Sequence, residues 1–364
     1  MKRFEFPGFV DVHVHFRDPG FTEAETVTSG LTAASRGGFA AVVTMPNTNP
    51  ACDSEETIRH QTSLGESFGG APLLLASACI TEFRAGEKVA DLERLAEAGA
   101  AFFTDDGSYV CSDAVMEEAM RRSAELCMVV SDHALDPRIV GAGVIRDCPL
   151  ARRLGLEIIP AEAEIAAVRR DISLCRETGC RLHIQHISTA QAVSLVRDAQ
   201  KEGLPVTAEA TPHHLLFACD DIEVDDANFK MAPPLGCKED RAELRKAVKE
   251  GVLMFATDHA PHPAHTKSLG FAKSANGILG LETAVAVTYS VMVEEEGMSI
   301  DDWVKAWHDM PLSLLPPSLA SRVVARTAIE IGENQKIDIS TFASLSRNCP
   351  YDGMSFNAKA YLVK

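Results

Sequence analysis

Residues 9–15 read FVDVHVH and are followed by Phe16 and Arg17. A short run dominated by Val and Phe reads as a strand, and strand side chains alternate between faces, so His13 and His15 point the same way. One histidine at a strand end is ordinarily a polar residue with a local partner. Two imidazoles on one face begin a metal site.

Comparable apolar runs lie near 39–46, 72–80, 101–105, 128–133, 181–187, 205–210 and 253–257, each followed by a longer segment with helical spacing of apolar residues. Segments such as ETVTSGLTAASRGG, VADLERLAEAGA and AQAVSLVRDAQKEG carry glycine at or near their ends, as helix termini do. Eight strands alternating with helices predict an α/β fold, a (β/α)8 TIM-type barrel over residues 8–310. The rhythm fails after DDWVKAWHDM. Residues 1–7 and 311–364 are therefore expected to form a small appendage, with MSFNAKAYLVK as a closing strand. Exposed edge strands there favour a partner, and a homodimer is expected.

With 364 residues, 46% of them hydrophobic, the chain has enough apolar surface for a large core. Its formal charge of -17 repels phosphate backbones and anionic lipid surfaces, so neither nucleic acid nor membrane is an expected partner. A small anionic substrate would need positive charge placed locally against that field. The ten cysteines form no CxxC pair, and the first residues, MKRFEFPGFVDVHVH, hold no apolar stretch of signal length. No segment reaches the roughly 18 apolar residues of a membrane span. A cytoplasmic protein with reduced thiols is the expectation.

Polar residues gather at the predicted strand ends. FFTDDG at 102–107 brings Asp105 and Asp106, SDHALD brings His133, HIQHIST brings His186, and ATDHAPH brings Asp258, His259 and His262. Of the twelve histidines, only His60, His265 and His308 fall away from the proposed strands and the residues just after them. Carboxyl ends of barrel strands converge on one rim, where such residues would meet. Imidazole and carboxylate without thiolate suit Zn2+, and there are enough ligands for two ions sharing a carboxylate.

At this point VDVHVHFRDPG, TMPNT, FTDDG, HIQHIST, VTAEATPHHL, KMAPPL and ATDHAPH resemble, in order and spacing, bacterial type I dihydroorotases of the amidohydrolase superfamily. The resemblance spans roughly residues 7–285. It implies a metal-dependent hydrolase barrel in which His13, His15 and Asp258 hold one zinc ion, His133 and His186 a second, and Asp106 bridges them. Asp105 is expected not to be a ligand. The resemblance also implies that Asp258 is the general base and that His15, Arg17, Asn47, Ala232, His262, Asn276 and Gly277 bind substrate. The implied reaction is the reversible cyclisation of N-carbamoyl-L-aspartate to (S)-dihydroorotate in pyrimidine synthesis, with aspartate transcarbamoylase as a possible partner.

Departures from the family pattern are local. Ala232 and Gly236 stand where an asparagine and an arginine are usual, Asn276 replaces an apolar residue of the covering loop 271–282, and Ala134-Leu135 lacks the usual acid. Two other readings follow from these departures. One is a hydantoinase- or allantoinase-like enzyme acting on another cyclic amide, against which Arg17, Asn47 and the FTDDG bridge argue. The other is a weakly active homologue serving as a scaffold for the transcarbamoylase, although every expected ligand is present.

Overall fold

The computed structural model describes residues 2–363; Met1 and Lys364, the outermost residues of the expected appendage, lie outside them. Ten strands are formed: β1 (Lys2–Pro7), β2 (Phe9–Val14), β3 (Phe39–Thr44), β4 (Leu73–Ala76), β5 (Val129–Asp132), β6 (Arg181–Ile184), β7 (Val206–Ala210), β8 (Met254–Phe255), β9 (Arg326–Lys336) and β10 (Ser355–Val363). β2, β3 and β4 pair in parallel, as do β5 to β8 in sequence. Short bridges join these sheets at both edges. Residues 101–104 run between β4 and β5, with Phe103 bridged in parallel to both Ala78 and Val130. On the other side Val14 bridges His259, and the His15 amide donates to the His259 carbonyl at 2.9 Å. Eight parallel segments thus close into the expected α/β barrel.

The strands are buried on both faces, which is why they read as apolar runs instead of alternating ones. Val10, Val12, Ala41, Val43, Leu75, Ala101, Val129 and Met254 form an interior cluster that Leu314 and Leu315 join from the chain beyond the barrel. His308 Nδ1 lies 2.7 Å from the Gly8 carbonyl, and Arg181 donates to the Ser313 carbonyl, so residues 308–315 cover the amino ends of the strands. The carboxyl ends stay open.

β1, β9 and β10 make a separate antiparallel sheet in the order β1-β9-β10. Thr327 of β9 joins it to the barrel: its hydroxyl donates to the Gly38 carbonyl at 2.6 Å and accepts from the Phe9 amide at 2.8 Å. Gly38 ends the helix Val27–Gly37 with φ 88, and a Cβ there would stand 2.9 Å from both Thr327 and Ala360. Only glycine meets the backbone conformation and the close approach together. No described helix is long and apolar enough to cross a membrane.

Candidate metal centre and active site

Four imidazoles and two carboxylates meet at the open end of the barrel. His13 comes from β2 and His15 from just beyond it, their rings 5.4 Å apart. The ladder of β2 with β3 is irregular, with a shift between Asp11 and Val14, so this pair sits on a distorted strand end and not on a regular ladder. Asp106 follows the segment 101–104, His133 follows β5, His186 lies beyond β6 and Asp258 beyond β8. Asp106 is central: its Oδ1 lies 3.2 Å from His13 Nε2, 3.6 Å from His133 Nδ1 and 4.0 Å from His186 Nε2, and its Oδ2 lies 3.4 Å from His15 Nε2. Asp258 Oδ1 is 3.0 Å from His15 Nε2 and 3.4 Å from His13 Nε2. His133 Nδ1 and His186 Nε2 stand 2.9 Å apart.

Three residues around this cluster, Arg17, His186 and Asp258, have positive φ values of 57, 27 and 48. Left-handed backbone at non-glycine residues costs about 1–3 kcal/mol each and is held only where surrounding contacts impose it. It turns the side chains after β6 and β8 inward.

The donor set fits divalent cations. His13 Nε2 and Asp106 Oδ2 are buried without hydrogen-bond partners. His13 Nδ1 is 2.6 Å from Glu209 Oε1, which only accepts, so a ring proton sits on Nδ1 and Nε2 faces two carboxylates. Electron pairs facing one another in a dry site call for a positive charge between them. The donor atoms of His13, His15 and Asp258 lie within 4.8 Å of one another, as do those of His13, Asp106 and His186.

The titration behaviour carries the same message. Burial opposes charge on His13, yet Glu209, Asp106 and Asp258 outweigh it and hold the imidazole well above its ordinary range, so a second ring proton answers the same demand for positive charge that a cation would. Burial would raise Asp106, but His13 and His15 keep it well below the usual carboxylate range. Asp258 is likewise held down by His13 and His15 against burial. Burial, with His133 beside it, pulls His186 to about 3, leaving a neutral ring with a free lone pair.

A cavity of about 240 Å³ lies over this cluster. His15, Arg17, Asn47, Asp106, His133, His186, Ala232, Asp258, His262, Asn276 and Gly277 all line it, while His13 lies beneath. Asn47 Oδ1 accepts from His15 Nδ1 at 2.9 Å, leaving His15 Nε2 toward the carboxylates. Arg17 donates through Nε to the Pro261 carbonyl at 3.2 Å, and its Nη2 is 3.4 Å from His262 Nε2. Burial lowers Arg17 only to about 10, so it stays a cation, and burial with Arg17 and Lys267 nearby lowers His262 to about 3. The two present one positive charge and one neutral imidazole on the same wall.

Not every residue singled out from sequence reaches the cavity. Gly236 packs against the Ser188 carbonyl and Asp240, where a Cβ would stand 2.5 Å from that oxygen. Asp105 turns away and accepts from the Ile80 and Thr81 amides at 2.9 and 3.1 Å. Glu209 was missed. It lies in β7 between His13 Nδ1 and His183 Nε2, 2.9 Å from the latter, and accepts from the His186 amide at 3.2 Å. The available signal was a single acid inside the buried run VTAEA. Asp11 was also missed; it accepts from the Thr257 amide at 3.0 Å and ties β2 to β8 beneath the ligands.

Comparison with known proteins identifies the family and the fold. The family described as dihydro-orotase-like matches residues 2–192. The dihydroorotase of Bacillus caldolyticus is 41% identical over 353 residues, 95% of this chain and 82% of that protein. That of Listeria innocua is 39% identical over 356 residues, again covering 95% and 82%. Among solved structures, L-hydantoinase from Arthrobacter aurescens superposes with a TM-score of 0.85 at 24% identity, covering 98% of this chain and 83% of that one. The Saccharomyces cerevisiae dihydroorotase in complex with 5-fluoroorotic acid superposes with a TM-score of 0.77 at 18% identity, covering 100% and 99%. Identities this low speak for the shared fold alone.

Proposed function

The chain belongs to the dihydroorotase family, and from that premise we propose how its residues divide the work of interconverting N-carbamoyl-L-aspartate and (S)-dihydroorotate in pyrimidine synthesis. It is a hydrolase of cyclic amides. The observation that carries the reading is the unpartnered His13 Nε2 and Asp106 Oδ2, buried among four further ligand-type side chains beneath a cavity with Arg17 on its wall.

His13, His15 and Asp258 would hold one divalent ion and His133 and His186 a second, with Asp106 between them; we propose zinc as the ion. Such ions supply Lewis acidity and make water acidic enough to attack an amide near neutral pH. Glu209 fixes the tautomer and direction of His13, and Asn47 does so for His15. Asp258, kept ionised, takes the proton of the attacking water and returns it to the departing ring nitrogen. Arg17 receives the substrate carboxylate as a fixed cation, which the protein's overall charge of -17 does not otherwise supply. Asn47 and His262 join Arg17 at the substrate carboxylate, and Asn276 offers a neutral polar group to the ring.

The test is turnover of dihydroorotate against dihydrouracil and hydantoin, in the wild type and in Arg17→Met. Only the acid-bearing ring uses Arg17, so the wild type should prefer dihydroorotate, and the substitution should cost at least about 100-fold in kcat/KM for that substrate alone. Equal losses on all three rings would remove the carboxylate from the recognition.

A further inference from the structure

The tail after the barrel reaches the active-site rim at one side chain. Asn348 is buried, in a stretch of irregular chain between β9 and β10. Its amide uses both hydrogens and its oxygen: Nδ2 donates to the Ala260 carbonyl at 2.9 Å and to the Gly277 carbonyl at 3.1 Å, while Oδ1 accepts from the His262 amide at 3.1 Å. Its own carbonyl accepts from the Leu279 amide at 2.9 Å. One residue therefore ties the loop after β8, which carries His262, to the covering loop, which carries Asn276 and Gly277.

The two loops it joins are packed tightly. Gly277 has φ 116, and a Cβ there would stand 2.6 Å from Ala260 and 3.3 Å from His262 Nε2. Neighbouring bonds hold the tail in place: Ser346 Oγ donates to the Ala24 carbonyl at 2.8 Å, and the Ala343 amide donates to Glu282 at 2.9 Å. None of Asn348's hydrogen bonds goes to a candidate metal ligand.

We infer that Asn348 is a positioning residue of the reaction, which fixes the spacing between His262 and the Asn276–Gly277 wall and so sets how tightly substrate is held. The inference rests on the assignment of those residues to substrate. The chemistry of the side chain is specific. Aspartate offers no donor to two carbonyls and brings a charge against their lone pairs, and alanine leaves the Ala260 carbonyl and the His262 amide without partners and the Gly277 carbonyl with Lys267 alone.

The experiment uses the full chain carrying Asn348→Asp or Asn348→Ala, with Asn348→Ser, which keeps one donor, as a milder variant should either fail to fold. Four quantities are read: kcat and KM for dihydroorotate, bound metal, and hydrogen exchange of peptides spanning 260–279. KM should rise about tenfold or more, with kcat changed less than about threefold and bound metal unchanged, and exchange across 260–279 should quicken. Unchanged KM and exchange would overturn the inference, and so would a loss of metal and kcat with KM intact. A wild type inert toward dihydroorotate would instead sink the assigned activity. The exchange measurement would still decide for or against the tie between the loops.

Discussion

At the scale of single residues, we propose two duties for Asp258, which a substitution can separate. As a ligand-type carboxylate it lies 3.0 Å from His15 Nε2, and as a base it is held ionised by the histidines around it. Asp258→Asn keeps the shape and an oxygen donor but cannot accept the proton, so kcat should fall about 10³-fold with at least one equivalent of metal retained. Steady-state rates with metal analysis on the same sample check this, and a kcat within tenfold of wild type would free Asp258 from proton transfer. Glu209 acts one step back from the chemistry. Glu209→Gln can still face His13 but loses the charge that favours the Nδ1 proton, and metal affinity should drop about 10–100-fold, measured by competition with a chelator. The six ligand-type residues were legible because histidine and aspartate just after apolar runs are conspicuous. Glu209 was not, because one acid inside a strand has no spacing partner to mark it, and Asn348 sits in chain with no periodicity at all.

At the scale of elements, the barrel strands were legible for a physical reason. Parallel strands covered by helices are apolar on both faces, so each appears as a compact run whatever the register. β1 and β9 lack that signature. β1, KRFEFP, is largely exposed, and the second half of β9, GENQK, is polar, so neither stood out from the surrounding loops. A titratable side chain just before the covering loop anchors it. Lys267 Nζ donates to the carbonyls of Ala275 and Gly277, both at 2.9 Å, and to that of Lys230 at 3.3 Å. An ammonium has three hydrogens for these three acceptors, whereas an amine has two. Burial, with Lys230 nearby and only Asp226 opposing, lowers Lys267 to about 7. Below that pH the full set of donors is present, and as pH rises through it one is lost. KM for dihydroorotate should therefore climb above about pH 7, and Lys267→Arg, which stays charged, should move that rise to higher pH. A pH profile of KM for both proteins decides the matter; superimposable profiles would exclude Lys267 as the origin.

At the scale of the whole molecule, the chain closes eight parallel segments into a barrel and leaves mutually repelling lone pairs at the open end. The rest of the protein relieves them little: the formal charge is -17, and Arg17, although it feels the charges of Asp258 and Asp106, makes its close contacts with the Pro261 carbonyl and the edge of His262. Cations bound there would stabilise the folded state selectively, because the six candidate ligands are gathered only when the barrel is closed. At a free concentration of ~100 times the dissociation constant, one ion adds about 2.7 kcal/mol to folding, or about 3–4 °C in Tm for a chain of this size. Stripping with a chelator should lower Tm by at least that much, and added zinc should restore it. Asp106→Ala supplies the control that separates this centre from adventitious surface binding. Asp106 approaches all four histidines, so its removal should abolish most of the difference between chelated and zinc-loaded protein. If the variant keeps the full zinc-dependent shift in Tm, the stabilising ions sit elsewhere, and the strand ends of this barrel do not form the metal centre.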